Sequence, residues 1–292
     1  MKIRILGGAE IRALLPMADC IELMRRTMIE VSEGRARIPP RSVTPVGAGF
    51  LALMPGALAE PACFGVKLLS LFPDNPAAGL SSHLGLVMLF EPEHGLPVAM
   101  LDAAEITAIR TAAVSGLATR LLAREDAGDL AILGSGEQAR SHLDAMLAVR
   151  SLRRVRVWSR NAEHAAAFAE QAERHGVDIE VLATVEAAVV GADLICTVTG
   201  AAEPILRGEW VAAGAHLNVV GASRLTAAEV DTALVARSRF FVDLRPSAEL
   251  EAGELKRALD DGAIGPDHVL GEIGEVANGS VAGRLGPNDV TL

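Results

Sequence analysis

The chain has 292 residues and a formal net charge of −10, and its composition is 50% hydrophobic but only 3% aromatic, with no tyrosine. This length accommodates two domains of ordinary size, and a core of small aliphatic side chains is typical of α/β proteins. The acidic balance, without a block rich in lysine or arginine, argues against nucleic acid as a partner. No apolar run approaches the roughly 18 residues of a membrane span and no signal-peptide core is present, so we expect a cytoplasmic protein without a membrane partner.

The first 126 residues predict a smaller α+β domain. A short strand at residues 3–6 precedes a helical pattern that runs from Pro16 to Gly34. After Pro39-Pro40, turn residues separate an antiparallel meander of strands at residues 42–46, 49–54, 63–70 and 84–91. A helix over residues 104–123 follows, and the polar run 124–129 marks the domain boundary.

Five polar side chains within this domain are candidates for a binding site. Arg41 follows the double proline, Lys67 lies in the middle of a predicted strand, and Arg110 lies within the predicted helix. Ser82 and His83 immediately precede another strand. Each of them could equally face solvent, because strand alternation exposes one face and helix arginines are commonly solvated.

The segment Leu-Ala-Ile-Leu-Gly-Ser-Gly-Glu-Gln-Ala, residues 130–139, has a G-x-G-x-x-A spacing between a predicted strand and a predicted helix. Gly134 permits the tight turn, Gly136 lets a pyrophosphate approach the backbone, and Ala139 lets the helix pack closely on the strand. Because the N–H groups of a helix N-terminus attract phosphates, the turn predicts a dinucleotide site. The site would also include Ser135, Glu137 and Gln138. A glycine-rich turn that binds nothing is the alternative.

Predicted strands and helices alternate from residue 130 onward. The strands fall at residues 130–133, 155–158, 179–182, 193–198, 216–220 and 240–243, and the helices at 137–149, 161–175, 185–190, 227–236 and 248–260. This alternation predicts a Rossmann-type, doubly wound parallel sheet over residues 127–277. Ligands of such sheets bind at the carboxyl ends of strands. That rule nominates Ser159-Arg160-Asn161, Thr199-Gly200 and Gly221-Ala222-Ser223. Val220, at the end of the last strand before these glycine and serine positions, is also expected to contact the cofactor.

The end of the second strand of this sheet bears on the choice of cofactor. NAD-selective sites usually have an Asp or Glu there that accepts from the ribose 2′-hydroxyl. Here the sequence reads Trp158-Ser159-Arg160-Asn161, with no carboxylate to repel a 2′-phosphate and an arginine able to bind one. We therefore expect NADPH to be preferred, with NAD possible.

Other chemistries find little support in the sequence. The chain has no H-E-x-x-H, no G-x-S-x-G and no P-loop spacing, and no metal site is predicted. His142, His164 and His175 fall on predicted helices and are expected to face solvent. The three cysteines, Cys20, Cys63 and Cys196, are widely spaced in apolar context and are predicted to be buried thiols.

Several further motifs together resemble the ornithine cyclodeaminase/mu-crystallin family over nearly the whole chain. They are Ser82-His-Leu-Gly-Leu-Val-Met-Leu-Phe-Glu-Pro92, Glu105-Ile-Thr-Ala-Ile-Arg-Thr-Ala-Ala-Val-Ser115, Ile132-Leu-Gly-Ser-Gly-Glu-Gln-Ala139, Thr197-Val-Thr-Gly-Ala-Ala-Glu-Pro-Ile-Leu206, Gly208-Glu-Trp210, Gly214-Ala-His-Leu-Asn-Val-Val-Gly-Ala-Ser-Arg224 and Gly271-Glu-Ile-Gly-Glu-Val276. The resemblance implies a homodimer in which a substrate-binding and dimerisation domain is joined to the Rossmann domain. It also implies that residues of about 278–292 begin a return to the first domain, beyond which family members usually continue.

The resemblance also implies roles for individual residues. Arg41 matches the arginine that clamps the substrate carboxylate, a task suited to bidentate geometry. Lys67 matches the active-site lysine beside the substrate, Arg110 matches a helix arginine near cofactor and substrate, and Ser82 and His83 match a loop on the nicotinamide side.

Three departures bear on the reaction. Ornithine cyclodeaminases have an aspartate where this chain has Ser223, a lysine at Ala227 and a glutamate at about Ala52. A carboxylate is what binds and deprotonates a cationic amine, and serine does so poorly. The chain is thus similar to the mu-crystallin branch, which implies an NAD(P)H-dependent reductase of small cyclic imine carboxylates, with Ser223 lining the pocket. Ornithine cyclodeaminase, an amino-acid dehydrogenase and a small-ligand-binding protein remain alternatives.

Overall fold

The computed structural model describes residues 2–173, 176–221 and 223–292, apart from the side chains of Pro76 and His83. Contacts along the chain divide it into two compact units, Met1–Arg110 and Thr111–Leu292.

A six-stranded mixed sheet forms the body of the first unit. Its elements are β1 (Arg4–Leu6), α1 (Gly8–Leu14), α2 (Met17–Ser32), β2 (Ser42–Val46), β3 (Gly49–Leu58), β4 (Cys63–Leu71), β5 (His83–Phe90), β6 (Pro97–Asp102) and the start of α3 (Ala103–Leu122). The strand order is β1-β6-β5-β4-β3-β2, with β2 to β6 antiparallel and β1 parallel to β6. The predicted meander is present, but β6 was not predicted. The helix α3 follows β6 directly, so no turn residue marks the end of the strand.

The two faces of this sheet differ in burial. On one face Ala52 and Leu69 form a small buried core with Ala103 of α3. The register pairs Leu68 of β4 with Leu86 of β5 on the opposite face, where both remain about two-fifths exposed, at 39% and 43%. Phe64 and Phe90 stack on that same face with ring centroids 5.2 Å apart. The first unit therefore presents an open apolar sheet surface.

A five-stranded parallel sheet forms the centre of the second unit. Its strands are β7 (Asp129–Leu133), β8 (Arg154–Trp158), β9 (Glu180–Val181), β10 (Leu194–Thr197) and β11 (His216–Val219), in the order β11-β10-β7-β8-β9. The remaining elements are α4 (Glu137–Val149), α5 (Ala162–Glu173), α6 (Val185–Val189), α7 (Thr232–Arg237), β12 (Phe240–Val242), α8 (Arg245–Glu251), α9 (Gly253–Asp260), β13 (Val269–Glu272) and α10 (Ile273–Ala277). β8 and β9 lie on one side of β7, and β10 and β11 lie on the other side, so the order in which successive strands are added reverses after β9. This topology confirms the predicted doubly wound α/β fold.

The helices after β11 differ from the prediction. The predicted helix at residues 227–236 begins only at Thr232, because Asp231 caps α7 by accepting from the Leu234 N–H at 2.9 Å. The predicted helix at 248–260 is two helices that meet at Ala252. A side chain at Gly253 would collide with the carbonyl oxygen of Ala227, so this close backbone approach requires glycine. The predicted sixth strand, β12, pairs with β13 in a separate small sheet.

The last residues of the chain pack within the second unit. Thr291 forms bridges with His216 of β11 and with Arg239, and its hydroxyl lies 2.9 Å from Nδ1 of His216. This placement differs from the expectation that residues 278–292 return to the first domain. Within the described ranges, no helix combines the length and the apolar character needed to cross a membrane.

Candidate active site

Lys67 lies on the covered face of the first unit's sheet, since it neighbours Leu69 two positions along β4. Its Nζ donates to Oγ1 of Thr107 at 3.1 Å, and the Thr107 hydroxyl donates to the Ala103 carbonyl at 2.6 Å. The hydroxyl proton is therefore committed to the helix, which leaves the oxygen lone pair to orient the lysine. Thr107 was not singled out from the sequence, although it stands three residues before Arg110 on the same helix face.

Three cationic side chains converge at this point. The pKa of Lys67 falls to about 8 because burial penalises its charged form, and the charges of Arg110 and Arg41 lower it further. Arg41 follows the double proline just before β2, Arg110 lies on α3, and both are exposed. The structure thus brings together the three cations nominated separately from the sequence, and their summed charge suits an anionic group.

Ser82 and His83 lie where β5 begins. The carbonyl oxygen of Ser82 accepts from the N–H of Phe72 at 3.0 Å, which closes the loop between β4 and β5. The side chain of His83 lies outside the described part of the structure.

The glycine turn of the second unit has the geometry that the sequence predicts. Gly134 adopts φ 124° and donates its N–H to the Trp158 carbonyl at 2.8 Å. A Cβ at Gly134 would lie 2.8 Å from the Val198 carbonyl oxygen, whereas a Cβ at Gly136, the N-cap of α4, would meet open space. Ala139 is fully buried against the sheet. The turn is therefore tight on its inner side and open over the helix N-terminus.

The first turn of α4 also contains an unusual polar atom. Gln138 Oε1 is buried without a hydrogen-bond partner among the described residues, while Glu137 is exposed. The open helix N-terminus suits a phosphate, whereas the orphaned Gln138 oxygen needs a donor, such as a hydroxyl or amide group of a bound ligand.

The end of β8 separates the three residues nominated there. The Ser135 hydroxyl donates to the Ser159 hydroxyl, Oγ to Oγ, at 2.9 Å. Ser159 therefore lies next to the glycine turn, where NAD-selective sites usually have a carboxylate. Arg160 is exposed. Asn161 uses Oδ1 to accept from the N–H groups of Glu163 and His164, as the cap of α5. Ser159 and Arg160 are therefore better placed for a phosphate than Asn161.

A buried carboxylate that the sequence analysis missed lies at the carboxyl ends of β10 and β11. Glu229 is 0% exposed and accepts from the N–H of Thr199 at 2.6 Å and from the N–H of Gly221 at 2.8 Å. Burial raises the pKa of Glu229, an effect that its hydrogen bonds oppose. Only the position of Thr199 and Gly221 at strand ends could have pointed toward it.

The loops beyond these strands hold the remaining nominated residues. Val220 donates its N–H to the Thr197 carbonyl at 3.1 Å, and Gly200 is exposed. Ser223 has φ 49°, a left-handed conformation uncommon for a residue with a side chain. The chain therefore turns sharply at Ser223, four residues after the last residue of β11.

The expectation that His142 faces solvent is wrong. Its side chain is 0% exposed, with Nδ1 2.7 Å from the Gln138 carbonyl and Nε2 2.9 Å from Oγ of Ser115. A carbonyl only accepts, so Nδ1 carries the proton and Nε2 accepts from the serine. Burial lowers the pKa of His142 to about 4. His164 is exposed as expected, and His175 lies outside the described residues.

The cysteines and one cluster of potential metal ligands lie outside the features described so far. Cys20 and Cys196 are buried, whereas Cys63 is only half-buried, and all three are free thiols. Glu91, Glu93 and His94 bring potential metal ligands within 4.8 Å of one another in the described structure. The Glu91 carboxylate already accepts from the backbone N–H groups of Glu93, His94 and Leu96. These hydrogen bonds close the turn between β5 and β6, which explains why the three side chains lie close together.

The parallel sheet, its glycine turn and the open helix N-terminus at the turn define a dinucleotide-binding α/β protein. The chain belongs to the ornithine cyclodeaminase/mu-crystallin family, whose profile matches residues 2–292.

The proteins that this chain resembles include two reductases and one dehydrogenase. The ketimine reductase mu-crystallin of Mus musculus is 40% identical over 250 residues, which cover 85% of this chain and 77% of that protein. The Δ1-pyrroline-2-carboxylate reductase of Thermococcus litoralis, solved with NADH and L-proline, superposes with a TM-score of 0.95 at 33% identity, covering 99% of this chain and 91% of its own. An archaeal alanine dehydrogenase dimer with bound NAD gives a TM-score of 0.92 at 29% identity, covering 100% and 89%.

Proposed function

We propose that this protein is an NAD(P)H-dependent reductase of small cyclic imine carboxylates, such as pyrroline-2-carboxylate or piperideine-2-carboxylate. The observation that carries the proposal is the half-buried Lys67, which donates to Thr107 and lies within the electrostatic influence of Arg41 and Arg110. A substrate with one carboxylate and one basic nitrogen uses both properties of this cluster, namely its positive charge and a lysine that can exchange a proton near neutral pH.

Each residue of the cluster has a defined task in this reaction. Arg41 binds the substrate carboxylate through its planar guanidinium, and Arg110 adds positive charge beside it. Lys67 donates a proton toward the imine nitrogen, because a lysine with a pKa of about 8 is protonated at neutral pH yet releases its proton readily.

The nicotinamide cofactor, when bound, supplies a hydride to the carbon of the C=N bond. The backbone N–H groups of residues 135–138 at the glycine turn and the start of α4, namely those of Ser135, Gly136, Glu137 and Gln138, would surround its pyrophosphate, with Gly134 forming the tight turn. Within the second unit, Thr199, Gly200 and Val220 would lie toward the nicotinamide. Ser159 and Arg160 favour NADPH over NADH, since an arginine can bind the 2′-phosphate and no carboxylate stands there to repel it.

The domain organisation follows the same reading. The first domain, residues 1–126, would bind substrate and form the dimer contact, and residues 127–277 would bind the cofactor. Support for the dimer comes from the open apolar sheet face around Leu68 and Leu86 and from the dimeric archaeal neighbour.

Ornithine cyclodeamination is the second candidate reaction. Amino-acid dehydrogenation is a related candidate, because the chain is similar in structure to an archaeal alanine dehydrogenase. Ornithine has a second, cationic amino group, which requires a carboxylate partner in its site. The family's carboxylate positions hold Ser223 and Ala52 here, and Ala52 is fully buried. This chain therefore favours an imine over a diamine. A role as a small-ligand-binding protein is the alternative without catalysis.

The decay of NADPH absorbance with pyrroline-2-carboxylate at neutral pH tests the proposal. Ornithine with NAD⁺ is run in parallel, with ammonia as its readout. Rapid NADPH oxidation without ammonia from ornithine supports the reductase. Ammonia release without imine reduction contradicts it and favours the cyclodeaminase, and ligand binding without turnover of any of these substrates favours the binding role.

A further inference from the structure

Glu229 is a buried carboxylate that the proposed reaction does not use. It lies in the segment between β11 and α7, and its backbone carbonyl accepts from the N–H groups of Ile205 and Leu206 at 2.9 and 3.0 Å. Its side chain is 0% exposed. A carboxylate without solvent is costly unless donors surround it, so its surroundings indicate what it does.

The two oxygens of this carboxylate are matched by four donors. Oε1 accepts from the backbone N–H of Thr199 at 2.6 Å and from the Thr199 hydroxyl at 2.5 Å. Oε2 accepts from the backbone N–H of Gly221 and from the hydroxyl of Thr197, both at 2.8 Å. Each oxygen thus has one backbone and one hydroxyl donor, and each backbone donor comes from a different loop.

These loops follow neighbouring strands. Thr199 lies just beyond β10 and Gly221 just beyond β11, and the two strands pair along their whole length. β10 also pairs with β7, which leads into the glycine turn. In doubly wound sheets the ligand lies outside these carboxyl ends, next to the point where the strand order reverses. Glu229 therefore ties together two loops that border the candidate cofactor site.

We propose that Glu229 is a positioning residue for the nicotinamide cofactor: its carboxylate clamps the Thr199 and Gly221 backbones so that the loops after β10 and β11 keep the spacing that the bound cofactor needs. This inference rests on the proposed function for the identity of the ligand. It assigns to Glu229 no contact with the substrate or with the reacting atoms.

The chemistry of the clamp requires a carboxylate. A glutamine amide has one oxygen and one NH₂ group, and the NH₂ group only donates. In either orientation of the amide, its NH₂ faces one of the two backbone N–H groups, Thr199 or Gly221, and pushes that loop away. Glu229→Gln therefore opens the clamp with almost no change in volume.

Glu254 provides a matched control. It is also buried, and its Oε1 accepts from the Glu229 N–H at 2.8 Å. A glutamine at residue 254 keeps an oxygen for that single donor. Glu254→Gln thus removes a buried carboxylate from the same region while both loops remain clamped.

The test measures NADPH binding by fluorescence titration and steady-state turnover of pyrroline-2-carboxylate in the wild type, Glu229→Gln and Glu254→Gln. For Glu229→Gln we expect the Kd and KM for NADPH to rise about tenfold, the effect of one strained loop contact, with the KM for the imine nearly unchanged. Glu254→Gln should bind like the wild type. Partial unfolding would lower the apparent kcat but leave the Kd and KM for NADPH unchanged. A rise in these two constants therefore distinguishes a positioning role from a loss of stability.

A second variant keeps the test informative if Glu229→Gln does not fold. Thr197→Val removes one hydroxyl donor to the carboxylate at a fully buried residue that is not assigned to the cofactor, so it should weaken NADPH binding by a smaller factor. Unchanged NADPH affinity in folded Glu229→Gln, or in Thr197→Val when the former does not fold, overturns the inference. A wild type that binds NADPH but reduces no imine overturns the proposed substrate alone. A wild type that binds neither NADPH nor NADH overturns both.

Discussion

The ammonium of Lys67 lies 3.1 Å from Oγ1 of Thr107, whose own proton is donated to the Ala103 carbonyl. The threonine therefore only accepts from the lysine, and it fixes the direction from which Lys67 can give up a proton. Sheet and helix of the first unit are joined at the one lysine that the proposed reaction requires.

Thr107→Val should impair catalysis without impairing cofactor binding. The valine keeps the branched shape but cannot accept from Lys67, and a hydrogen bond to a charged group contributes about 1.5–3 kcal/mol. We expect kcat/KM to fall by about tenfold or more, which steady-state assays with a saturating cofactor measure. Thr107→Ser keeps the hydroxyl and should retain most activity. Equal losses in both variants would contradict the role assigned to the hydroxyl.

The pH profile of turnover should report the lowered pKa of Lys67. Because the charged form is the proton donor, activity should be full below pH 8 and fall as the pH rises through about 8. Lys67→Ala should abolish turnover and leave NADPH affinity nearly intact. Lys67→Arg stays charged at every accessible pH, so any residual activity should lose the alkaline limb. A limb that persists in Lys67→Arg would assign it to another group.

Features that depend on neighbouring residues could be predicted from the sequence, whereas contacts between distant residues could not. The glycine turn is predictable because β7, Gly134, Gly136 and α4 are contiguous and each has a fixed mechanical task. Glu229 was missed because its partner Thr199 lies 30 residues away, and glutamate alone carries no signal of burial. His142 was misjudged for the same reason, since its partner Ser115 is 27 residues away on another helix. The elements follow from local pattern, whereas buried polar pairs depend on tertiary packing.

The cofactor preference should reside in Ser159 and Arg160. Ser159→Asp places a carboxylate beside Ser135, where it can accept from a ribose 2′-hydroxyl and repels a 2′-phosphate. We expect the ratio of kcat/KM for NADPH to that for NADH to fall by at least about tenfold in Ser159→Asp and in Arg160→Ala. Asn161→Asp is the matched control, because its Oδ1 remains the cap of α5. An initial preference of the wild type for NADH would contradict the assignment.

His142 should make stability depend on pH in mildly acid solution. Its pKa is about 4 when folded and near 6.5 when unfolded, so the unfolded chain binds the proton more readily. Its contribution is complete above pH 6.5 and is lost as the pH falls toward 4, by roughly 3 kcal/mol for a shift of this size.

Denaturant titrations at several pH values measure this slope. His142→Asn cannot titrate in this range and should flatten it, with the remainder owed partly to His216, whose pKa burial lowers to about 3. His164→Asn, at an exposed position, should leave the slope unchanged. An identical slope in the wild type and His142→Asn would show that the imidazole does not couple to folding.

The open sheet face of the first unit should be covered by a second copy of the chain. Leu68 and Leu86 are paired across β4 and β5, and Phe64 stacks on Phe90 beside them. A contiguous apolar surface of this kind is unusual on a monomer. We expect light scattering to give twice the mass of the chain, and Leu86→Glu to shift it toward the monomer because a charge would be buried without a partner.

Leu147 supplies the control for that substitution. It is 43% exposed on α4, the same fraction as Leu86, but it belongs to the second unit and not to the sheet that contains Leu86. Leu147→Glu adds the same charge at the same exposure and should leave the mass unchanged. Dissociation by both variants would indicate a general effect of charge, and dissociation by Leu147→Glu alone would move the interface to the second unit.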